Sequence, residues 1–459
     1  LESEEPRHLE SGVVNIYPDI EYQTIEGFGG AMTETSAYLL SKMAPEVRKS
    51  LLQSYFSREG HNLKFVRVHL DSCDYSLEEY QAVEDPMADP ELKTFSIKRD
   101  KMYIIPMLKE VLELTGGDIS VMISPWSPPA CWKTPPVKRK NDASVYGMLN
   151  LPPVPDEPSR CNGGSLKPEF YASWAKYMIK FVKAYLDEGI PVRMLSVQNE
   201  TIAATNWDSC VWTSEQEKVF LRDFLYPELK AAGLSEKIGL FIWDHNKERV
   251  LERATEIIDD ETRGMIAGVA FHWYSGDHFE AVRMLHEKYP EKILLMSECC
   301  EPGQMGGRIM FSRSVTTAGT KELKEALHYA HDIIGNINAG MQRWIDWNLI
   351  VDKNNGPRHV PGGFTATVIA NDDGSYREKM SFSYVRHFAG YIAPGAKRIG
   401  FSRCSDDFEM TAAKNPDGTL TAVFLNTNET DAGFAIRIEG NVIRIELPAK
   451  TISTVVIEK

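Results

Sequence analysis

Two carboxylates and a set of aromatic rings carry the first chemical signal in this sequence. Glu200 and Glu298 each follow an apolar run, residues 194–197 and 293–296. Asn199 stands directly before one and Ser297 directly before the other. Two acids flanking one bond can divide the work of breaking it: one holds a proton for the departing oxygen, and the other is ionised and attacks the carbon. Proximity alone separates their proton affinities, because one negative charge disfavours a second. A single glutamate at such a place reads as an ordinary rim ion-pair residue. Two at matching places, one beside an amide, read as a working pair suited to a glycosidic bond. Trp126, Trp273, Tyr274 and Trp347 add aromatic faces, which stack on the C–H faces of sugars, while Trp and Tyr also donate hydrogen bonds. Each alone reads as core; the four together read as a sugar-sized pocket.

Such groups need a scaffold that gathers them. Eight short apolar runs recur along the chain, at residues 27–33, 64–70, 119–124, 193–198, 237–243, 266–272, 292–297 and 342–348. Their near-continuous apolar character predicts parallel strands buried on both faces. Longer amphipathic stretches lie between them. Residues 169–188 place Trp174, Met178, Phe181 and Tyr185 on one helix face, and residues 321–339 do the same with Leu323, Leu327, Ile333 and Ile337. Eight alternations of strand and helix predict an α/β fold, a (β/α)8 TIM barrel over residues 27–390. Reactive groups in such a barrel collect at the C-terminal strand ends. Strands four and seven lie on opposite sides of the mouth, so Glu200 and Glu298 are expected to face each other. The other strand ends supply carboxylates, amides and rings, without a basic phosphate cradle or a glycine-rich loop.

After residue 390 the pattern changes to short alternating strands. Asn415-Pro416-Asp417-Gly418 marks a turn between runs at 408–413 and 420–425, and runs at 434–438, 442–447 and 451–457 follow. This predicts a side β-sandwich over residues 391–459. Residues 12–23 also alternate, so residues 1–26 are expected to add N-terminal strands to that sandwich.

Composition narrows the partners. With 459 residues, 43% hydrophobic and 25% charged, the chain can bury a large core and is neither disordered nor fibrous. The charge sum of 51 − 65 = −14 repels phosphate backbones, which argues against nucleic acid and anionic lipid. No apolar run approaches the ~18 residues of a membrane span, so no stable membrane insertion is expected. A neutral carbohydrate or glycoside meets no such barrier. The seven cysteines follow no regular spacing, and no Cys-x-x-Cys pair exists. They read as mainly free thiols, which favours a cytoplasmic setting over a secreted one with its signal peptide removed. The sequence sets no oligomeric state.

Several blocks together resemble glycoside hydrolase family 30, in the branch that includes glucosylceramidase. They are Gly27-Phe28-Gly29-Gly30-Ala31-Met32-Thr33, Ser54-Tyr55-Phe56-Ser57-Arg58-Glu59-Gly60, Arg67-Val68 with Ser72-Cys73-Asp74, Ser124-Pro125-Trp126-Ser127-Pro128-Pro129 with Trp132-Lys133, Asn199-Glu200, His272-Trp273-Tyr274, Ser297-Glu298 and Asp346-Trp347-Asn348-Leu349. They follow the family's order across residues 27–400. The resemblance implies a retaining β-glycosidase that needs no cofactor and no metal. By family position Glu200 resembles the acid/base and Glu298 the nucleophile. Asp74, Trp126, Asn199, Tyr274 and Trp347 resemble residues that hold the sugar, with Asn199 placed for its 2-hydroxyl. The expected substrates are β-glucosides, with β-xylosides, β-fucosides and β-1,6-glucan as the family's alternatives. Two departures stand out: Thr201 follows the acid/base where many relatives carry proline, and the loop 356–364 lacks an asparagine before Phe364.

Two other classes compete. A metal-dependent hydrolase would draw on His245, His272 and His278 with Asp244 and Asp277. No His-x-His pair marks the first strand end, so His272 reads as a rim hydrogen-bonder and the others as surface residues. A carbohydrate-binding protein without catalysis would use the same glutamates only as hydrogen-bond acceptors. Long loops at the mouth, residues 74–98 and 133–160, are expected to close one end of the site into a pocket. That shape suits removal of single terminal sugars over cutting within a polymer.

Overall fold

All eight apolar runs form strands, and the strands close on themselves. They are Gly27–Ala31, Phe65–Leu70, Ser120–Pro125, Val192–Ser196, Gly239–Asn246, Ile266–His272, Ile293–Glu298 and Arg343–Asn348. Each pairs in parallel with the next, and the eighth returns to the first. The computed structural model describes residues 2–3, 11–136, 156–302, 319–360 and 363–458. Closure depends on one glycine in particular. A methyl group on Gly29 would stand 2.4 Å from the Phe65 carbonyl oxygen and 2.7 Å from Phe65 Cβ. Only glycine lets the first two strands meet there.

The two helices read from periodicity are Tyr171–Asp187 and Lys321–Asn338. Trp174, Met178, Phe181 and Tyr185 are all fully buried against the barrel. Burial at this level stabilises by ~1.5–3 kcal/mol per large apolar side chain, so Trp174→Ala is a costly cavity. The second helix starts at Thr320, whose hydroxyl accepts from the Leu323 N–H at 3.2 Å and satisfies one of the free amides of the first turn.

The side sandwich is one eight-strand sheet folded over its own core. The strand expected at 12–23 is Val13–Ile25, which runs antiparallel to Ala396–Ser402 and parallel to Ala432–Ile438. Val14, Met410, Phe424, Phe434, Ile436 and Leu447 fill the space between the halves. Phe408 and Phe434 stack at 4.3 Å within it. Three features were not foreseen from sequence: the strand Ala396–Ser402, a small sheet of Val351–Asp352, Val368–Ala370 and Tyr376–Glu378, and the helix Met380–Ala389. Two charges and a glycine obscure the alternation of Ala396–Ser402, which forms because the long N-terminal strand offers it an edge. Among the described residues no helix is long and apolar enough to cross a membrane. All seven cysteines are free thiols.

Candidate active site

The barrel interior changes character along its strands. Phe65, Met122, Met194, Phe241, Ala270, Leu295 and Ile345 form one apolar inward layer. Side chains return to the same face every two residues. The next inward positions on these strands are Arg67, Ser124, Ser196, His272, Ser297 and Trp347, a mostly polar layer on an apolar floor.

Arg67 is the hub of that layer. Its guanidinium is fully buried and donates to four partners: Glu298 Oε2 at 2.5 Å, Asn199 Oδ1 at 2.8 Å, Asp244 Oδ2 at 2.9 Å and Ser124 Oγ at 3.1 Å. Trp126 and Trp347 stack on each other at 5.2 Å, and the cation lies 4.8 Å and 5.5 Å from their ring centres. Burying an unpaired charge costs several kcal/mol, so this arrangement exists only because every face of the cation is met.

Asp244 is the countercharge. A bulge between Trp243 and His245 puts both Trp243 and Asp244 at positive φ, +73° and +46°. The extra residue turns Asp244 into the barrel. There it accepts from Arg67, from Ser196 Oγ at 2.7 Å and from Ser297 Oγ at 2.5 Å, and it stands 3.1 Å from His272 Nε2. Burial works against its charge, but Arg67, His272 and Ser297 hold it well below the usual carboxylate range.

The two glutamates receive different surroundings. Glu298 accepts from Arg67 on one oxygen and from the Tyr274 hydroxyl on the other, at 3.0 Å. The Tyr274 oxygen is also 2.9 Å from Cys300 Sγ. Glu200 follows the fourth strand with φ +52°, a left-handed conformation that costs a non-glycine residue about 1 kcal/mol or more and that neighbours must enforce. Its own N–H donates to the Asp244 carbonyl at 2.8 Å. Its Oε1 lies 3.4 Å from His272 Nδ1 and 3.5 Å from His245 Nδ1. Burial pushes the Glu200 carboxyl up, but the two histidines outweigh it and hold the group below its ordinary range. Burial opposes charge on His272, yet Glu298, Asp244 and Glu200 raise it to about 9. The pair thus carries a proton at neutral pH, chiefly on the imidazole.

Asp74 completes the acidic group. Burial, then the charges of Glu298 and Glu200, push it up to about 8 despite Arg358 nearby. It is therefore a neutral acid at pH 7, able to donate as well as accept. Trp126 and Trp347 are only 1% and 2% exposed, which makes them a packed floor. Phe364 approaches Tyr274 at 5.7 Å and its N–H donates to Tyr75 Oη at 2.7 Å, so the loop 356–364 borders the site. Residues 361–362 of that loop, and 137–155 of the loop expected over 133–160, lie outside the described residues. The other mouth loop is pinned: the Leu77 N–H donates to Glu34 at 2.8 Å and the Ala82 N–H to Asp71 at 2.9 Å.

The structure thus brings Glu200, Glu298, Asn199, Trp126, Tyr274 and Trp347 into one network around Arg67, with Asp74 in the same field. One aromatic expectation fails. Trp273 stacks on His328 at 4.3 Å and faces away from the mouth, because its neighbours His272 and Tyr274 take the inward positions. His245 and Asp244 are buried rather than surface residues. Arg67 was missed as a site residue. Its signal was a charge inside an otherwise apolar strand, Phe65–Leu70.

The chain as a whole is similar to known proteins. Residues 25–392 match the model of the glycosyl hydrolase family 30 TIM-barrel domain, and residues 395–455 match that of the family's β-sandwich domain. Lysosomal acid glucosylceramidase of Mus musculus is 29% identical over 437 residues, covering 92% of this chain and 79% of that protein. The crystal structure of SrfJ from Salmonella typhimurium superposes with a TM-score of 0.89 at 30% identity, over 100% of this chain and 95% of the other. The endo-β1,6-glucanase BT3312 gives 0.80 at 26% identity, over 97% and 94%.

Proposed function

The chain belongs to glycosyl hydrolase family 30, and from that premise we propose that it is a retaining β-glycosidase with Glu298 as nucleophile and Glu200 as acid/base. One observation carries the assignment: Glu298 is fixed on both oxygens by Arg67 and Tyr274, while Glu200 lies against a proton-bearing histidine. In the first step Glu298 attacks the anomeric carbon as the glycosidic C–O bond breaks. The proton that the Glu200–His272 pair carries passes through Glu200 to the departing oxygen, and Glu200 is left ionised. A glycosyl ester on Glu298 results, and its carboxylate charge is gone. Loss of that charge strengthens nearby acids, so Glu200 then serves as the base. It takes a proton from water, the water oxygen bonds the anomeric carbon, and Glu298 leaves.

The other residues position the sugar. Arg67 occupies Asn199 Oδ1, which leaves the amide NH2 to donate to the 2-hydroxyl. Asp74, neutral before binding, can donate to one hydroxyl and accept from another. The sugar rests on the Trp126–Trp347 floor. We assign removal of single sugars from β-glucosides, supported by similarity to a glucosylceramidase and by the pinned loop 74–98. The similarity to an endo-β1,6-glucanase favours a second reading, cutting within a β-1,6-glucan. A product time course on soluble β-1,6-glucan beside nitrophenyl β-glucoside, β-xyloside and β-fucoside separates the two. Turnover of the small glucoside supports the first reading. Early mixed oligosaccharides with negligible action on the glucoside support the second.

A further inference from the structure

Around Glu200 three donor atoms converge. Glu200 Oε1, His245 Nδ1 and His272 Nδ1 all lie within 4.8 Å of one another. The carboxylate oxygen is 3.5 Å from the first nitrogen and 3.4 Å from the second. Both nitrogens are buried, and neither reaches a hydrogen-bond partner. A charge-assisted hydrogen bond would be shorter, at about 2.7–2.9 Å. Zinc bonds of about 2.0–2.2 Å instead set tetrahedral donor atoms roughly 3.3–3.6 Å apart. The two carboxylate–imidazole separations fall in that second interval.

The surroundings fit the same reading. His272 Nε2 stands 3.1 Å from Asp244 Oδ1, and Asp244 is anchored by Arg67, Ser196 and Ser297. A carboxylate behind the far nitrogen fixes the orientation of a ligating histidine, and the cation takes the near nitrogen's lone pair by displacing the proton that His272 otherwise carries. Two imidazoles and a carboxylate suit zinc or copper over magnesium or calcium. A second trio, Cys161, Asp208 and His359, lacks this character. There Arg160 Nε already occupies Asp208 at 2.9 Å, and His359 Nε2 is 3.1 Å from the same carboxylate.

We propose that Glu200, His245 and His272 form a binding site for a transition-metal cation of the zinc class, with a fourth position left to water. Occupancy takes the Glu200 carboxylate out of proton transfer, so the cation is a reversible inhibitor and not a cofactor. That consequence rests on the role assigned to Glu200 above; the binding does not.

Isothermal titration of the full chain with Zn²⁺ tests the site, with Co²⁺ as a spectroscopic probe. One tight equivalent is expected, Co²⁺ should show the visible absorption of a four-coordinate ion, and Mg²⁺ should not compete. His245→Gln and Glu200→Gln should each weaken Zn²⁺ binding by ~10- to 100-fold or more, while His359→Ala leaves that equivalent in place. Zn²⁺ should also inhibit nitrophenyl β-glucoside hydrolysis over the concentration range in which it binds, with recovery on adding a chelator. Wild-type affinity in His245→Gln, or no tight equivalent in the unmodified chain, overturns the site whatever the turnover. Binding that depends on both residues without inhibition upholds the site and overturns the acid/base role of Glu200.

Discussion

Replacing Arg67 by lysine separates charge from geometry at the centre of the site. Arginine serves Glu298, Asn199, Asp244 and Ser124 at once from one planar fork. A lysine keeps the positive charge but concentrates it on one ammonium, which cannot reach these divergent partners together. If the ammonium stays with the fully buried Asp244, the bonds to Glu298 and Asn199 are lost. Both bonds carry the guanidinium charge, and a hydrogen bond of that kind is worth about 1.5–3 kcal/mol. Their sum, about 3–6 kcal/mol, corresponds to a fall of roughly 160- to 26,000-fold in kcat/KM at ~1.36 kcal/mol per decade. The fold should survive, because Asp244 keeps its countercharge. Arg67→Met removes that too and should destabilise by ~3–5 kcal/mol, the usual cost of an orphaned buried ion. The assay is kcat/KM on nitrophenyl β-glucoside beside denaturant unfolding of both variants. An Arg67→Lys enzyme within about threefold of wild type would refute the argument that the fork positions the nucleophile.

Three further outcomes are expected. Tyr274→Phe removes one hydrogen bond to Glu298 with almost no change in shape, and kcat should fall by ~10- to 100-fold; an unchanged kcat would show that the hydroxyl is idle. Glu200→Ala should cripple substrates with poor leaving groups far more than activated ones, and azide should restore turnover on the activated ones; equal losses without rescue would remove Glu200 as acid/base. Asp74 is raised to about 8 in the fold, so between pH 4 and 8 the native state holds a proton that the unfolded chain has released. Its contribution therefore weakens stability as pH rises through that window, by up to about 1.4 kcal/mol per pH unit. Asp74→Asn should gain stability relative to wild type from pH 5 to pH 8 in urea unfolding, and a pH-independent difference would contradict the shift.

The barrel was legible because its strands are short, apolar and separated by helices with an unbroken apolar stripe. Tyr171–Asp187 shows this well: four residues at helical spacing were enough to place its buried face. The carboxylate pair was legible because each glutamate ends an apolar run. Spacing left their roles open, since both read alike along the chain, and the expected roles came from the family's order of motifs; the neighbours that distinguish the two are supplied by other strands. Asp244 illustrates the limit. A bulge at Trp243 and Asp244 shifts the inward phase by one residue, and alternation counted from Phe241 would point the wrong side chain into the barrel. Trp273 shows the converse, a ring between two inward neighbours whose outward direction follows from the strand itself. Ala396–Ser402 was invisible because its partner lies at the other end of the chain.

Trapping the covalent intermediate tests the central claim most directly. A 2-fluoro β-glucoside with a good leaving group forms the glycosyl ester but slows its hydrolysis, so the labelled protein can be digested and read by peptide mass spectrometry. The sugar should be found on Glu298. Label on Glu301, Glu200 or Asp74, or steady turnover with no label at all, would contradict the assignment of Glu298 as the nucleophile.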